Sequence, residues 1–170
     1  MRCAMAGQVI NDFSEGIWDD GEWISWDWIN EQIYQQERQA EFPAASMEIL
    51  GMFEHLIDVA SEYKELTGRY LPLWGELGEL YAEIKFGVVR RRPMAQGSDG
   101  KLGNDFVEIK TISPEKRTEN VHVKRTGNFN KLLVVKISQN FEFDARIIDC
   151  RALAKGNGKH ASLSWESMPK

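Results

Sequence analysis

Long apolar runs are missing from this chain of 170 residues. No uninterrupted apolar stretch reaches the roughly 18 residues that a membrane-spanning helix needs. The start Met1-Arg2-Cys3-Ala4-Met5-Ala6-Gly7 also lacks the apolar core of a secretory signal, so a cytoplasmic protein without membrane association is expected. Cysteine is nearly absent. Cys3 and Cys150 stand far apart and outside any Cys-x-x-Cys or Cys/His cluster, which indicates neither a zinc site nor a disulfide framework. Histidine is equally sparse: His55, His122 and His160 each lack a Ser, a Cys or a second His at triad or ligand spacing. Glycine-rich phosphate loops of the Walker or dinucleotide-binding type are missing too, because Gly97-Ser98-Asp99-Gly100 does not open a helix. There is no internal repeat, low-complexity tract or linker.

What remains has the composition of a globular protein. A hydrophobic content of 42% is ordinary for a folded chain of this length and predicts one domain, 1–170, with a buried core. The net charge of −5 is unevenly distributed. Residues 1–83 hold 4 Lys/Arg against 17 Asp/Glu, a balance of −13, and residues 84–170 hold 17 against 9, a balance of +8. A basic half is what a phosphate-binding surface requires, since neutralising backbone phosphates supplies most non-specific affinity for nucleic acid. Mutual electrostatic pairing of the two halves is the alternative.

Periodicity gives a helical first portion, 1–70, followed by a portion in which strands predominate. Trp18, Trp23, Trp26 and Trp28 crowd around the turn-like Asp19-Asp20-Gly21, and a helix over about 25–38 follows. This acidic aromatic stretch would repel DNA, so a core or homodimer contact is the better reading than a base-stacking platform. Pro43-Ala44-Ala45-Ser46 introduces a long helix that Gly68 ends, and a third helix over 74–86 stops at Gly87. Strands are expected at 88–90, in a hairpin around residues 97–110, and at 120–124, 131–137 and 145–149. Residues 156–160 read as a flexible turn. Basic residues fall in the loops: Arg90-Arg91-Arg92, Lys116-Arg117 and Lys124-Arg125.

The hairpin carries the chemistry. Residues 97–100 read as the end of one strand, Lys101-Leu102-Gly103-Asn104 as the turn, and Phe106-Val107-Glu108-Ile109-Lys110 as the second strand. Alternation puts Phe106, Glu108 and Lys110 on one side and Asp105, Val107 and Ile109 on the other. Ionised groups on an otherwise apolar strand are costly unless they meet a metal, a partner or solvent. Asp99 lies nine residues before Glu108, a length that brings its carboxylate back beside the second strand. Mg²⁺ prefers carboxylate oxygens and retains several waters, and a nearby lysine can hold or polarise an attacking water. Asp99, Glu108 and Lys110 supply those parts. An Asp-Gly turn former and an exposed polar strand face are the structural alternatives.

An Asp, a short hairpin and then Glu108-x-Lys110-Thr111 resembles the PD-(D/E)XK nuclease superfamily, with Ser98 standing where that pattern has proline. Upstream, Gly75-x-x-x-Glu79-x-x-Ala82 is similar to the helix motif that many of its members carry, and residues 131–137 read as the buried strand that follows the hairpin. The resemblance covers roughly residues 73–150. It implies a restriction-endonuclease-like α/β fold with a mixed central sheet of four to five strands flanked by helices. It also implies hydrolysis of phosphodiester bonds in DNA with Mg²⁺ or Mn²⁺. Asp99 and Glu108 would bind metal, Glu79 would be an outer or second-metal ligand, and Lys110 would position the water. Lys116, Arg117, Lys124 and Arg125 would hold phosphates. Helical-wheel geometry alone sets Glu76 nearer the sheet than Glu79, against the motif. Two other classes fit the sequence: a nuclease-like binding or assembly subunit without catalysis, and an acidic inhibitor or immunity protein.

Overall fold

Asp20 and Gly21, with φ of 46° and 82°, close a tight hairpin between β1 (Gly16–Asp19) and β2 (Glu22–Ser25). Two consecutive positive φ values suit the right-handed twist of paired strands, which is why an Asp-Gly pair serves here. The computed structural model describes residues 2–9, 12–91, 97–153 and 158–169. Its chain divides into two units, Met1–Pro43 and Ala44–Lys170.

In the first unit, Ser25 caps α1 (Trp26–Glu41) by accepting a hydrogen bond from the Trp28 amide at 3.3 Å. Cys3, Trp23, Ile24 and Ser25 are buried, whereas no residue of α1 is. The helical first portion therefore also contains a strand pair ahead of its first helix, in which Trp18 and Trp23 are cross-strand partners. Period-2 alternation over four residues is too short a signal to stand out beside the helical spacing that follows.

The second unit begins with α2 (Met47–Thr67) and α3 (Trp74–Phe86), each ended by a left-handed glycine, Gly68 at φ 68° and Gly87 at φ 71°. Five strands form a mixed sheet: β3 (Val89–Arg90), β4 (Gly100–Leu102), β5 (Asp105–Ile112), β7 (Lys131–Ile137) and β8 (Phe143–Asp149), in the order β3-β4-β5-β7-β8. Only the β5–β7 pair is parallel. A parallel pair needs a crossover, and residues 113–130 supply it. β6 (Asn120–Lys124) lies within that crossover and pairs with β9 (His160–Ser164) in a separate two-stranded sheet.

One face of the main sheet receives α3, which lies against β5 and β7. On the other face Ile112, Leu132, Val134 and Ile148 pack with Val121, Val123, Trp165 and Met168. β7 is buried along most of its length, as a central strand covered on both sides must be.

Three expectations shift in detail. Lys101 and Leu102 belong to β4 rather than to the turn, because they pair with Phe106 and Asp105 up to a two-residue Gly103-Asn104 loop in which Gly103 supplies a φ of 59°. Asn120 to Lys124 is a strand but outside the main sheet. His160, read as part of a flexible turn, starts β9, where Ala161 is buried and His160 and Ser162 are exposed. Arg92, Gly156 and Asn157 lie outside the described residues. Among the described residues no helix is long and apolar enough to cross a membrane.

Candidate active site

β4 is three residues long and β5 is eight, so the edge of β5 beyond Val107 has no backbone partner from β4. Asp99 fills the first position past the end of β4. Its amide donates to the Val107 carbonyl at 3.0 Å, and its Oδ2 accepts from the Ile109 amide at 2.7 Å. A carboxylate thus stands in for the strand that has ended. Charge-assisted bonds of this kind are roughly twice as strong as neutral ones, and this one fixes the Asp99 carboxylate at the sheet edge.

Regular β4–β5 pairing ends at Gly100 opposite Val107, and through its amide Asp99 bonds that same Val107, so its carboxylate is fixed on the β5 backbone at Ile109, the residue between Glu108 and Lys110. Glu108 and Lys110 share one face of β5, as alternation requires, and the Lys110 Nζ lies 2.6 Å from Glu108 Oε1. Lys110 Nζ also donates to the Ile109 carbonyl at 3.2 Å. Both side chains are partly buried, so the pair is less screened than a surface one. Asp105, the other acid of the hairpin, turns to the opposite face and pairs with Lys131 at 3.4 Å.

α3 contributes Glu79. Gly78 and Ala82 are both buried against the sheet side of the helix, and their small size lets α3 approach β5 closely. Glu79 sits on that margin and is half-buried, while Glu76 is exposed. Small residues rather than the large leucines set the closest approach of this helix to β5, at Gly78 against Thr111. Arg90 then takes the remaining acids, with its Nη1 2.6 Å from Glu76 Oε1 and its Nε 2.6 Å from Glu83 Oε2. Burial, followed by the charges of Asp99 and Glu76, raises the Glu79 carboxyl above its ordinary range, and Arg90 and Lys110 act in the opposite direction. Glu79 is therefore within electrostatic reach of both Asp99 and Lys110.

The remaining basic residues fall in two places. Lys116 and Arg117 are exposed just past the C-terminal end of β5, where Lys116 Nζ donates to the Thr111 carbonyl at 3.0 Å. Lys124 ends β6 on the same exposed strand face as His122, and Arg125 is half-buried in the turn that follows. The loop after it passes the residues that lead into β4: a Cβ placed on Gly97 would lie 3.5 Å from the Cβ of Asn128. His55 is exposed on α2.

Donor chemistry suits a hard cation. Asp99 Oδ1 and Glu108 Oε2 are outside the hydrogen bonds just described, and Mg²⁺ characteristically uses one or two carboxylates together with water and substrate phosphate. Two observations agree with added positive charge or bound water here: the raised Glu79 carboxyl, and the buried Ser98 Oγ beside Asp99, which has no hydrogen-bond partner among the described residues. No group of three or more His, Cys, Asp and Glu side chains among the described residues is arranged to hold a metal by itself. Sequence reading missed Arg90 as the partner of Glu76 and Glu83, and missed Asn130, which holds Phe106 through both its backbone amide and carbonyl. A contact between residues 24 positions apart leaves no local signal. No protein-family model matches the chain, and no curated protein does.

Proposed function

We propose that this chain is a metal-dependent nuclease of the PD-(D/E)XK type that hydrolyses phosphodiester bonds in DNA. One observation carries the reading: Asp99 is anchored at the open edge of β5 on the amide of Ile109, the residue between Glu108 and Lys110, whose side chains make a 2.6 Å contact. Asp99 and Glu108 would hold Mg²⁺ or Mn²⁺, with Glu79 as an outer ligand. A bound divalent cation supplies Lewis-acid polarisation of the phosphoryl oxygen.

The chain's own groups do the rest. Lys110 Nζ orients a water toward phosphorus, and Glu108 beside it holds the amine in place. The water oxygen bonds to phosphorus, the P–O bond to the leaving sugar oxygen breaks, and protons exchange with solvent to leave a phosphate monoester and a hydroxyl end. Lys116, Arg117, Lys124 and Arg125 hold flanking phosphates, consistent with the +8 balance of residues 84–170.

A second reading, a binding or assembly subunit without catalysis, is favoured by the same close Glu108–Lys110 contact, because each group neutralises the other. The two readings part on one assay. Plasmid, linear duplex and single-stranded DNA are incubated with Mg²⁺ or Mn²⁺, beside Lys110→Ala. Cleavage by the wild type that Lys110→Ala abolishes supports the nuclease; DNA binding with no metal-dependent cleavage of any substrate overturns it.

A further inference from the structure

Phe106 lies on the same face of β5 as Glu108, two residues upstream, which is roughly 6.7 Å along the strand. Its ring is half-buried, and two cations flank it. Lys101, the direct cross-strand partner of Phe106, has its Nζ 5.0 Å from the ring centroid, and the Arg91 guanidinium carbon is also 5.0 Å away. Asn130 holds the backbone of Phe106 from both sides: its Oδ1 accepts from the Phe106 amide at 2.9 Å, and its own amide donates to the Phe106 carbonyl at 2.8 Å. The aromatic residue next to Glu108 on this face is therefore held through its backbone, and its ring carries two cations over it, the arrangement in which a π-face meets positive charge.

We infer that Phe106, with Lys101 and Arg91, forms a subsite for an unpaired nucleobase next to the phosphate held at Asp99 and Glu108, so that the substrate is DNA with a single-stranded segment. The inference rests on the nuclease reading for the placement of that phosphate. Every base has a π-face, and stacking on an aromatic side chain is worth ~1–3 kcal/mol per base without regard to sequence. A base inside a duplex already has both faces stacked and must be extruded, at a cost of a few kcal/mol, before it can reach a ring fixed on a sheet. Lys101 is an exposed side chain on a flexible stem, free to move from the ring to a flanking phosphate as the base arrives. The spacing of Phe106 from Glu108 then sets the base beside the reacting phosphate.

Binding of a labelled single-stranded oligonucleotide and of a blunt-ended, fully paired duplex is measured in chelator, where nothing is cut. Cleavage of both is measured in Mg²⁺. Wild type, Phe106→Ala, Phe106→Leu and Phe106→Trp are compared after circular dichroism has verified that each is folded. Phe106→Leu retains apolar volume without a π-face, and Phe106→Trp enlarges that face.

The expected result is that Ala and Leu weaken single-strand binding by about 5- to 150-fold, the range that one lost stack corresponds to, while duplex binding is unchanged and Trp restores the single-strand affinity. Equal losses on both substrates, or Leu behaving as wild type, would overturn the subsite. If wild type cuts DNA but Phe106 substitutions do not alter the strand preference, the nuclease reading stands and the subsite falls. If nothing is cut yet single-strand affinity follows the π-face at Phe106, the subsite stands and the nuclease reading falls.

Discussion

Gly78 of α3 stands so close to Thr111 of β5 that a Cβ built on the glycine would lie 2.1 Å from Thr111 Oγ1 and 3.2 Å from its Cβ. The helix that carries Glu79 is thereby brought against the strand that carries Glu108 and Lys110: Glu79 follows Gly78, and Lys110 precedes Thr111. Gly78→Ala should destabilise the protein by about 1–3 kcal/mol, as overpacking does. Thr111→Ala in the same chain removes the atom in the way and should recover part of that loss. Denaturant midpoints of the two single variants and the double variant check this, and simple additivity would show that the contact does not set the helix position.

Asp99 has a structural task as well as the proposed catalytic one, and two substitutions separate them. Asp99→Asn keeps an oxygen that can accept from the Ile109 amide, so its stability should stay near wild type while Mn²⁺ affinity and DNA cleavage fall sharply. Asp99→Ala also leaves that amide without its partner and should lower stability by about 1–3 kcal/mol. Calorimetric Mn²⁺ titration beside thermal unfolding makes the comparison. An Asn variant that binds the ion as well as wild type would remove Asp99 from the metal site.

Glu79 gives a pH signature. Its carboxyl is raised by burial first and by the charges of Asp99 and Glu76 next, so the folded state binds this proton more tightly than the unfolded state does. Its stabilising contribution is complete below the ordinary Glu range and is lost as pH rises through the raised value. Glu79→Gln should therefore be more stable than wild type at neutral pH, with the difference shrinking on acidification through the ordinary Glu range. Saturating Mg²⁺ should reduce the neutral-pH difference if the ion lies within reach of Glu79. Thermal midpoints across that pH window, with and without the ion, test both statements, and a pH-independent difference would refute the first.

Glu76 should behave otherwise, because Arg90 already holds it at an exposed position. Glu76→Gln should change cleavage little, whereas Glu79→Gln should reduce turnover strongly. The reverse ranking in single-turnover cleavage assays would move the helix acid by one turn.

Phosphate contacts are tested by salt. Arg117 and Lys124 are both exposed, one past the end of β5 and one at the end of β6. Arg117→Glu combined with Lys124→Glu should weaken binding to many DNA sequences alike and flatten the slope of log affinity against log salt by about 2. An unchanged slope would place the contact surface elsewhere.

Much of this fold is legible without coordinates. Gly68 and Gly87 mark two helix ends, apolar periodicity marks α2 and α3, and alternation along β5 by itself places Glu108 beside Lys110 and turns Asp105 away. These are local facts: a helix repeats every 3.6 residues, a strand every two, and a left-handed turn favours glycine. The β1–β2 hairpin and β9 were hidden because four or five alternating residues give a weak signal. Tertiary structure alone decided the rest. Only the length difference between β4 and β5 opens the edge that Asp99 occupies, and only the close fit of Gly78 to Thr111 brings the helix that carries Glu79 against β5. Asn130 reaches Phe106, and Arg90 reaches Glu76 and Glu83, across sequence distances that no local pattern spans. Residue spacing determines which side chains share a face. Which faces come together depends on where neighbouring strands end and how closely the helix packs, and those are properties of the assembled sheet.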